Sequence, residues 1–105
     1  RSVRLQEAMV KAAEVPLTTA ETALKVMDLA LTAAEKGNPA AASDAGVAAL
    51  LARAAVEGAA LNVKINLSSI KDATVKEQLR ERTEQAITKA RTLEEKVLAQ
   101  VESRL

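Results

Sequence analysis

The chain has 105 residues, 15 basic and 14 acidic side chains, a formal charge of +1, and no cysteine, histidine or aromatic residue. These absences exclude disulfides and thiolate or histidine chemistry, so any reaction must use carboxylates, hydroxyls, amides, lysine or arginine. Balanced charge and the lack of stacking aromatics argue against nucleic-acid binding. The abundance of alanine, leucine, lysine and glutamate predicts an all-α protein with a thin core.

The start of the chain predicts a helix that is interrupted by a proline. Residues 2–14 carry apolar side chains at helical spacing. Because a residue before proline avoids the helical conformation, Val15-Pro16-Leu17 is expected to end this helix. Thr18 followed by Glu21 fits a capping box, which predicts that a second helix begins there.

A polar connection is predicted after the second helix. Gly37 is expected to stop that helix in a left-handed conformation, and Pro39 to prevent its continuation. Ser43 or Asp44 is the expected N-cap of a third helix. Asn38, Ser43 and Asp44 would then gather at a helix N-terminus, where free N–H groups and the helix dipole favour an anion. Capping alone also explains Ser43 and Asp44, so both interpretations stay open.

The third helix is predicted from Ala45 to about Lys64 and is apolar on nearly every side, which is typical of a central helix. Arg53 and Glu57 interrupt it, at a spacing that allows an ion pair. Its apolar stretch falls short of the ~20 residues that a membrane span needs, so we expect a soluble cytoplasmic protein. Asn62 and Asn66 lie one turn apart near its end, where their amides could bind a planar heterocycle or satisfy local backbone groups.

A long final helix is predicted to begin after Asp72, as its N-cap, and to reach about Arg104. Its apolar seam consists of Val75, Leu79, Ala86, Ala90, Leu93, Val97 and Val101. At ~1.5 Å per residue it forms a rod of about 50 Å, longer than so small a domain needs, so its end is expected to contact another chain. The prediction is an up-and-down bundle of about four helices. Residues 1–105 are expected to form the C-terminal part of a single, larger helical domain.

Four segments of the chain resemble the formiminotransferase-cyclodeaminase C-terminal domain family, which includes bacterial methenyltetrahydrofolate cyclohydrolases. The first two are residues 34–48, AEKGNPAAASDAGVA, and residues 59–63, AALNV, which Asn66 follows. Upstream, residues 5–8 and 15–17 are similar to the family's preceding helix and its break. The likeness covers about residues 2–68, and residues 40–42 are alanines where other members commonly carry polar side chains.

The resemblance implies an all-α homodimeric enzyme that acts on tetrahydrofolate derivatives and needs no metal or redox cofactor. It would hydrolyse 5,10-methenyltetrahydrofolate to the 10-formyl form, or cyclise 5-formiminotetrahydrofolate with loss of ammonia. Because family members are about twice this length, the missing N-terminal half of the same protein is an expected partner. The fragment alone could then lack part of the active site.

Within that resemblance Asp44 is the expected catalytic residue. A carboxylate at a helix N-terminus could stabilise the cationic methenyl carbon and act as the base for water. Asn38 and Ser43 would orient the water or the pterin, and Asn62 and Asn66 would contact the heterocycle. The alternative is a non-catalytic helical interaction or dimerisation module in which these residues only cap helices.

Overall fold

The computed structural model describes residues 2–105 and contains three helices in up-down-up order. They are α1 (Ser2–Lys36), α2 (Pro39–Leu67) and α3 (Ala73–Arg104). The three pack side by side into a rod of 57 × 16 × 16 Å. The all-α class is confirmed, whereas the expected number of about four helices is wrong because the first two predicted helices are one.

Pro16 lies inside α1 and does not end it. A proline has no N–H to donate, so the carbonyl four residues earlier, that of Ala12, loses its helical partner. The side-chain amide of Asn66 in α2 donates to this carbonyl at 3.2 Å. The predicted break at Val15-Pro16-Leu17 is therefore wrong, because a partner from another helix satisfies the group that proline leaves free.

The predicted capping box at Thr18 and Glu21 is wrong for the same reason, since both residues lie within α1. Glu21 instead pairs with Arg82 of α3, with 2.8 Å between its Oε1 and the Arg82 Nη2. This exposed pair links α1 to α3 and takes no part in starting a helix.

The connection from α1 to α2 is a tight turn at Gly37 and Asn38. No residue among 2–105 has a positive φ, so the expected left-handed conformation of Gly37 is wrong. A glycine is required at this position because there is no room for a side chain. A Cβ would lie 2.6 Å from the Ala33 carbonyl oxygen and 2.8 Å from the Ala41 Cβ. Arg104 of α3 donates to the carbonyls of Gly37, at 3.0 Å, and Glu35, and so caps the end of α1.

The connection from α2 to α3 ends at Asp72, whose predicted role as N-cap is confirmed. Its Oδ1 accepts from the backbone N–H groups of Thr74 at 3.0 Å and Val75 at 3.1 Å. The side chain of Gln6 ties this connection to α1, since its amide donates to the Ser69 carbonyl at 3.2 Å and accepts from the Lys71 N–H at 2.9 Å. One glutamine thus fixes the loop against the first turns of α1.

The core is a series of alanine-rich layers along the rod. The central layer combines Leu24, Met27 and Val56 with seven buried or nearly buried residues: Ala20, Ala23, Ala52, Ala59, Ala86, Ala90 and Leu93. The predicted apolar seam of α3 is confirmed. Val75 is half-buried and packs against the core, and the other six residues are buried: Leu79, Ala86, Ala90, Leu93, Val97 and Val101. Small side chains let the helices lie close together, which explains the narrow cross-section.

The outward face of α2, opposite the core, is apolar and uncovered. It consists of Val47, Leu51, Ala54, Gly58, Leu61 and Ile65, and its four large side chains are 55–70% exposed. Arg53 and Glu57 do not interrupt this face, because they contact Glu94 and Arg91 of α3.

The exposed apolar face contributes to the similarity in composition between α2 and a membrane-spanning helix. By length and mean hydropathy, 1.4 over its most apolar stretch, α2 is the one helix within residues 2–105 that passes a simple test for a membrane span. Buried helices of water-soluble cores pass the same test, and 39% of that stretch is buried here. The sequence predicts that Arg53 and Glu57 interrupt the apolar stretch and leave it too short for a span. By length and mean hydropathy alone, α2 is long enough.

Candidate functional site

The polar turn between α1 and α2 is built around Asn38, which is the N-cap of α2. Its backbone is extended, with φ −73° and ψ 172°, and its Oδ1 accepts from the Ala41 N–H at 2.9 Å. Pro39 occupies the first helical position, where its fixed φ fits and its missing N–H costs nothing. The expectation that Ser43 or Asp44 caps the helix is therefore wrong, because the observed N-cap, Asn38, lies five residues before Ser43.

Ser43 and Asp44 lie in the second turn of α2, and both are exposed. No described residue forms an ion pair or hydrogen bond with the Asp44 carboxylate. Their positions continue the outward face of α2 beyond Val47 by one turn. Since capping no longer accounts for Ser43 and Asp44, the structure assigns these two polar side chains no role within the described chain.

Asn62 and Asn66 lie near the other end of α2, beside an open groove between α1 and α2. The Asn66 amide donates to the carbonyls of Ala12, at 3.2 Å, and Asn62, at 2.9 Å. Its Nδ2 is therefore committed to the backbone, which leaves its Oδ1 as the acceptor for a ligand. Asn62 is exposed and has its side chain available.

The groove has a volume of about 480 Å³ and is open to solvent along its length. Val15, Pro16 and Thr19 of α1 and Ile65 of α2 line it. The remaining lining residues are Ala12, Ala55, Ala59, Asn62 and Asn66. A flat, mostly apolar ring with a polar edge fits such a surface, with the asparagines as the polar contacts.

The predicted site residues fall into two groups that one copy of the chain holds apart. Asn38, Ser43 and Asp44 lie at the start of α2, and Asn62 and Asn66 lie near its end. Eighteen residues separate Asp44 from Asn62, which is about 27 Å along a helix. A single small heterocycle cannot contact both groups within one copy.

A charged cluster between α2 and α3 is structural. Arg53 Nη1 lies 3.1 Å from both carboxylate oxygens of Glu94, and the predicted pair with Glu57 is present at 3.6 Å. The hydrogen bond and charge of Glu94 raise the pKa of Arg53 above its usual value. Sequence reasoning found the Glu57 partner but missed Glu94, because nothing in the sequence indicates which residue of α3 lies level with Arg53.

Comparison with known proteins identifies the family of this chain. The family profile described as Formiminotransferase-cyclodeaminase matches residues 1–85. The chain belongs to the formiminotransferase-cyclodeaminase family. The similarity to family members is not confined to residues 2–68, as the sequence suggested, because alignments with individual relatives continue through α3.

Two kinds of family member are similar to the chain over its whole length. A methenyltetrahydrofolate cyclohydrolase of Methylorubrum extorquens is 38% identical over 105 residues, covering all of this chain and 50% of the relative. Formimidoyltransferase-cyclodeaminases of Sus scrofa and Rattus norvegicus are 38% and 36% identical over 104 residues, which is 19% of each relative. The chain thus spans about half the length of the bacterial relative and a fifth of the mammalian ones.

Proposed function

We propose that this chain forms part of a folate one-carbon enzyme that hydrolyses 5,10-methenyltetrahydrofolate to 10-formyltetrahydrofolate. The observation that carries the proposal is the 38% identity, over every residue of the chain, to a protein named methenyltetrahydrofolate cyclohydrolase. The relatives named formimidoyltransferase-cyclodeaminase support the sister reaction, closure of 5-formiminotetrahydrofolate with release of ammonia. Both reactions form or consume the same methenyl intermediate.

Asp44 is the proposed catalytic residue. The methenyl carbon of the substrate is part of a cationic amidinium, so an exposed carboxylate beside it stabilises the charge. The carboxylate can also take a proton from water as the water oxygen bonds to that carbon. The carbon–N5 bond then breaks, N5 receives a proton, and the formyl group stays on N10.

Asn38 and Ser43 are proposed to orient the attacking water or the pterin edge, and Asn62 and Asn66 to contact the heterocycle. Since about 27 Å separates these two groups within one copy, the proposed enzyme is a homodimer in which one copy supplies Asp44 and the other supplies Asn62 and Asn66. Paired amide donors and acceptors match the hydrogen-bonding edge of a pterin. Asn66 offers its Oδ1 for this purpose, because its Nδ2 is already bonded to Ala12 and Asn62.

The direct test follows the ultraviolet absorbance of 5,10-methenyltetrahydrofolate after addition of purified protein. The proposal expects loss of absorbance faster than in buffer, with 10-formyltetrahydrofolate as the product. If the rate equals that of buffer, release of ammonia from 5-formiminotetrahydrofolate tests the sister reaction on the same sample. Absence of both activities would contradict the proposal.

The second candidate is a non-catalytic helical interaction module. The observation that favours it is the uncovered apolar face of α2, where Leu51, Leu61 and Ile65 are 64–70% exposed. A protein of this kind would bind a partner through that face and would leave both folate substrates unchanged.

A further inference from the structure

The amide of Asn66 is held in one orientation by two backbone carbonyls. One of its terminal atoms lies 3.2 Å from the Ala12 carbonyl oxygen and 2.9 Å from the Asn62 carbonyl oxygen. An atom between two carbonyl oxygens has to be the nitrogen, because an oxygen there would meet two other acceptors. Both N–H groups of the amide are therefore used, and Asn66 offers a ligand the lone pairs of its Oδ1.

Pro16 is the origin of this arrangement. A residue with a backbone N–H at position 16 would donate to the Ala12 carbonyl within α1, but proline has no such group. The carbonyl is thereby left for the amide of Asn66. Pro16 also lines the groove between α1 and α2. One residue thus forms part of the surface on which a ligand would lie and fixes the polarity of the amide beside it.

Thr19 gives the groove a second acceptor. Its hydroxyl donates to the Val15 carbonyl, with 3.3 Å between the two oxygens. A hydroxyl has a single hydrogen, so the lone pairs of the Thr19 Oγ1 are what it has left for a ligand. Asn62, the third polar side chain of the lining, is exposed and can turn to donate or to accept. The two fixed polar groups of the groove are therefore both acceptors.

The rest of the groove is apolar and uncharged. Apart from Thr19, Asn62 and Asn66, the residues of the described chain that line it are alanines, Val15, Pro16 and Ile65. A charged ring placed here would lose water and gain no opposite charge, which is unfavourable. An uncharged flat ring can lie against the apolar lining while N–H groups at its edge meet the two acceptors.

We propose that the groove selects an uncharged planar heterocycle by its N–H donor edge, and that Pro16 determines this selectivity through Ala12 and Asn66. The 2-amino group and the adjacent ring N–H of a pterin form such an edge. Lumazine has the same two rings with a carbonyl oxygen in place of the amino group. That oxygen would meet the acceptor of Asn66, and two acceptors without a donor between them lower the affinity.

The use of a pterin as the ring rests on the function proposed above, whereas the polarity of the groove rests on the hydrogen bonds of Thr19 and Asn66. A binding measurement without turnover therefore distinguishes the two. Selective binding by a protein that leaves both folate substrates unchanged would contradict the proposed function and leave this inference in place. An active enzyme without the selectivity would contradict this inference alone.

The first experiment is equilibrium dialysis of the full-length protein against pterin or lumazine, in slightly acidic buffer where both rings are uncharged. Pterin is expected to bind about tenfold more tightly than lumazine, since the mismatched oxygen leaves an acceptor without its hydrogen bond. Equal affinities, tighter binding of lumazine, or no binding of pterin would overturn the proposal.

The second experiment repeats the dialysis with Pro16→Ala. Alanine is favourable inside a helix, so helical circular dichroism should be retained. Its N–H takes the Ala12 carbonyl, the Asn66 amide loses one of the two groups that hold it, and the preference for pterin over lumazine is expected to fall severalfold. Asn66→Leu, which has a similar shape and no acceptor, should reduce the preference to about one.

Asn62→Leu is the matched control. Because the Asn62 amide can turn to suit either ring, its loss is expected to weaken both ligands alike and to leave the preference for pterin unchanged. A Pro16→Ala protein that keeps the native preference would overturn the role given to Pro16. An Asn62→Leu protein that loses the preference while Asn66→Leu keeps it would overturn the role given to Asn66.

Discussion

Pro16 and Asn66 depend on each other across two helices. Proline leaves the Ala12 carbonyl without its helical partner, and the Asn66 amide supplies one at 3.2 Å. Ala12 is exposed, so this hydrogen bond contributes about 0.5–1.5 kcal/mol, as an ordinary intramolecular one does. The pair therefore explains how a proline sits within a 35-residue helix without ending it.

A double-mutant cycle tests this dependence. Asn66→Ala is expected to lower the free energy of unfolding by about 0.5–1.5 kcal/mol, because the Ala12 carbonyl loses its donor. With Pro16→Ala present, the new N–H at position 16 takes that carbonyl, and Asn66→Ala is expected to cost distinctly less. Urea unfolding followed by circular dichroism measures both costs. If Asn66→Ala lowers the free energy of unfolding equally with Pro16 and with Pro16→Ala, the account is contradicted.

Asp44 is the residue on which the proposed chemistry depends. Asp44→Asn removes the charge and the proton acceptor while keeping the side-chain shape, so turnover of methenyltetrahydrofolate is expected to fall at least tenfold. Stability should change little, because Asp44 is exposed and Asn38 is the cap of α2.

Glu102→Gln is the control for Asp44→Asn, since Glu102 is an exposed carboxylate near the C-terminal end of α3. It should retain normal turnover. If Asp44→Asn turns over substrate as fast as this control, Asp44 is not the catalytic residue.

The α1–α2 turn is the element whose geometry the sequence described least well. Gly37 was expected to adopt a left-handed conformation, but it is required because a side chain would collide with Ala33 and Ala41. Arg104, 67 residues away, supplies the cap that the left-handed motif would have provided. The Asn38-Pro39 start of α2 was also misplaced, because Ser43 and Asp44 looked like stronger caps than an asparagine before proline.

Gly37→Ala tests this reading of the turn. The added methyl would lie 2.6 Å from a backbone oxygen, and relief of that collision is expected to cost about 1–3 kcal/mol of unfolding free energy. Lys36→Ala, one residue earlier and exposed, should change stability by less than about 0.5 kcal/mol. Thermal unfolding of the two variants provides the comparison. If the two variants unfold at the same temperature, the turn tolerates a side chain at position 37 and this account of Gly37 is wrong.

The helices themselves were more predictable than their ends. The apolar seam of α3 and the Asp72 cap follow from residues close together in sequence, so spacing and local chemistry were sufficient. The continuity of α1 depends on Asn66, 54 residues from Ala12, and no local rule for Pro16 includes that contact. The separation of Asp44 from Asn62 was also predictable, because the predicted third helix already runs from Ala45 to about Lys64 with Asn62 near its end.

At the scale of the whole molecule, a three-helix rod with alanine-rich layers leaves one long apolar face on α2. Small side chains bury little area each, so a bundle of this width is expected to gain stability by covering that face. The homodimer proposed for the folate site would cover this face if two copies paired through it. The exposed face of α2 and the distance between the two halves of the candidate site are the two features that favour the proposed homodimer.

Complementation between two impaired variants measures this shared site most directly. Asp44→Asn and Asn62→Ala are each expected to lower methenyltetrahydrofolate turnover. In a one-to-one mixture half of the dimers carry one of each, and one of their two sites has both native residues. Turnover of the mixture should therefore recover to about a quarter of the native protein measured alongside. A mixture no more active than its separate components, beside an active native protein, would contradict a site shared between two copies.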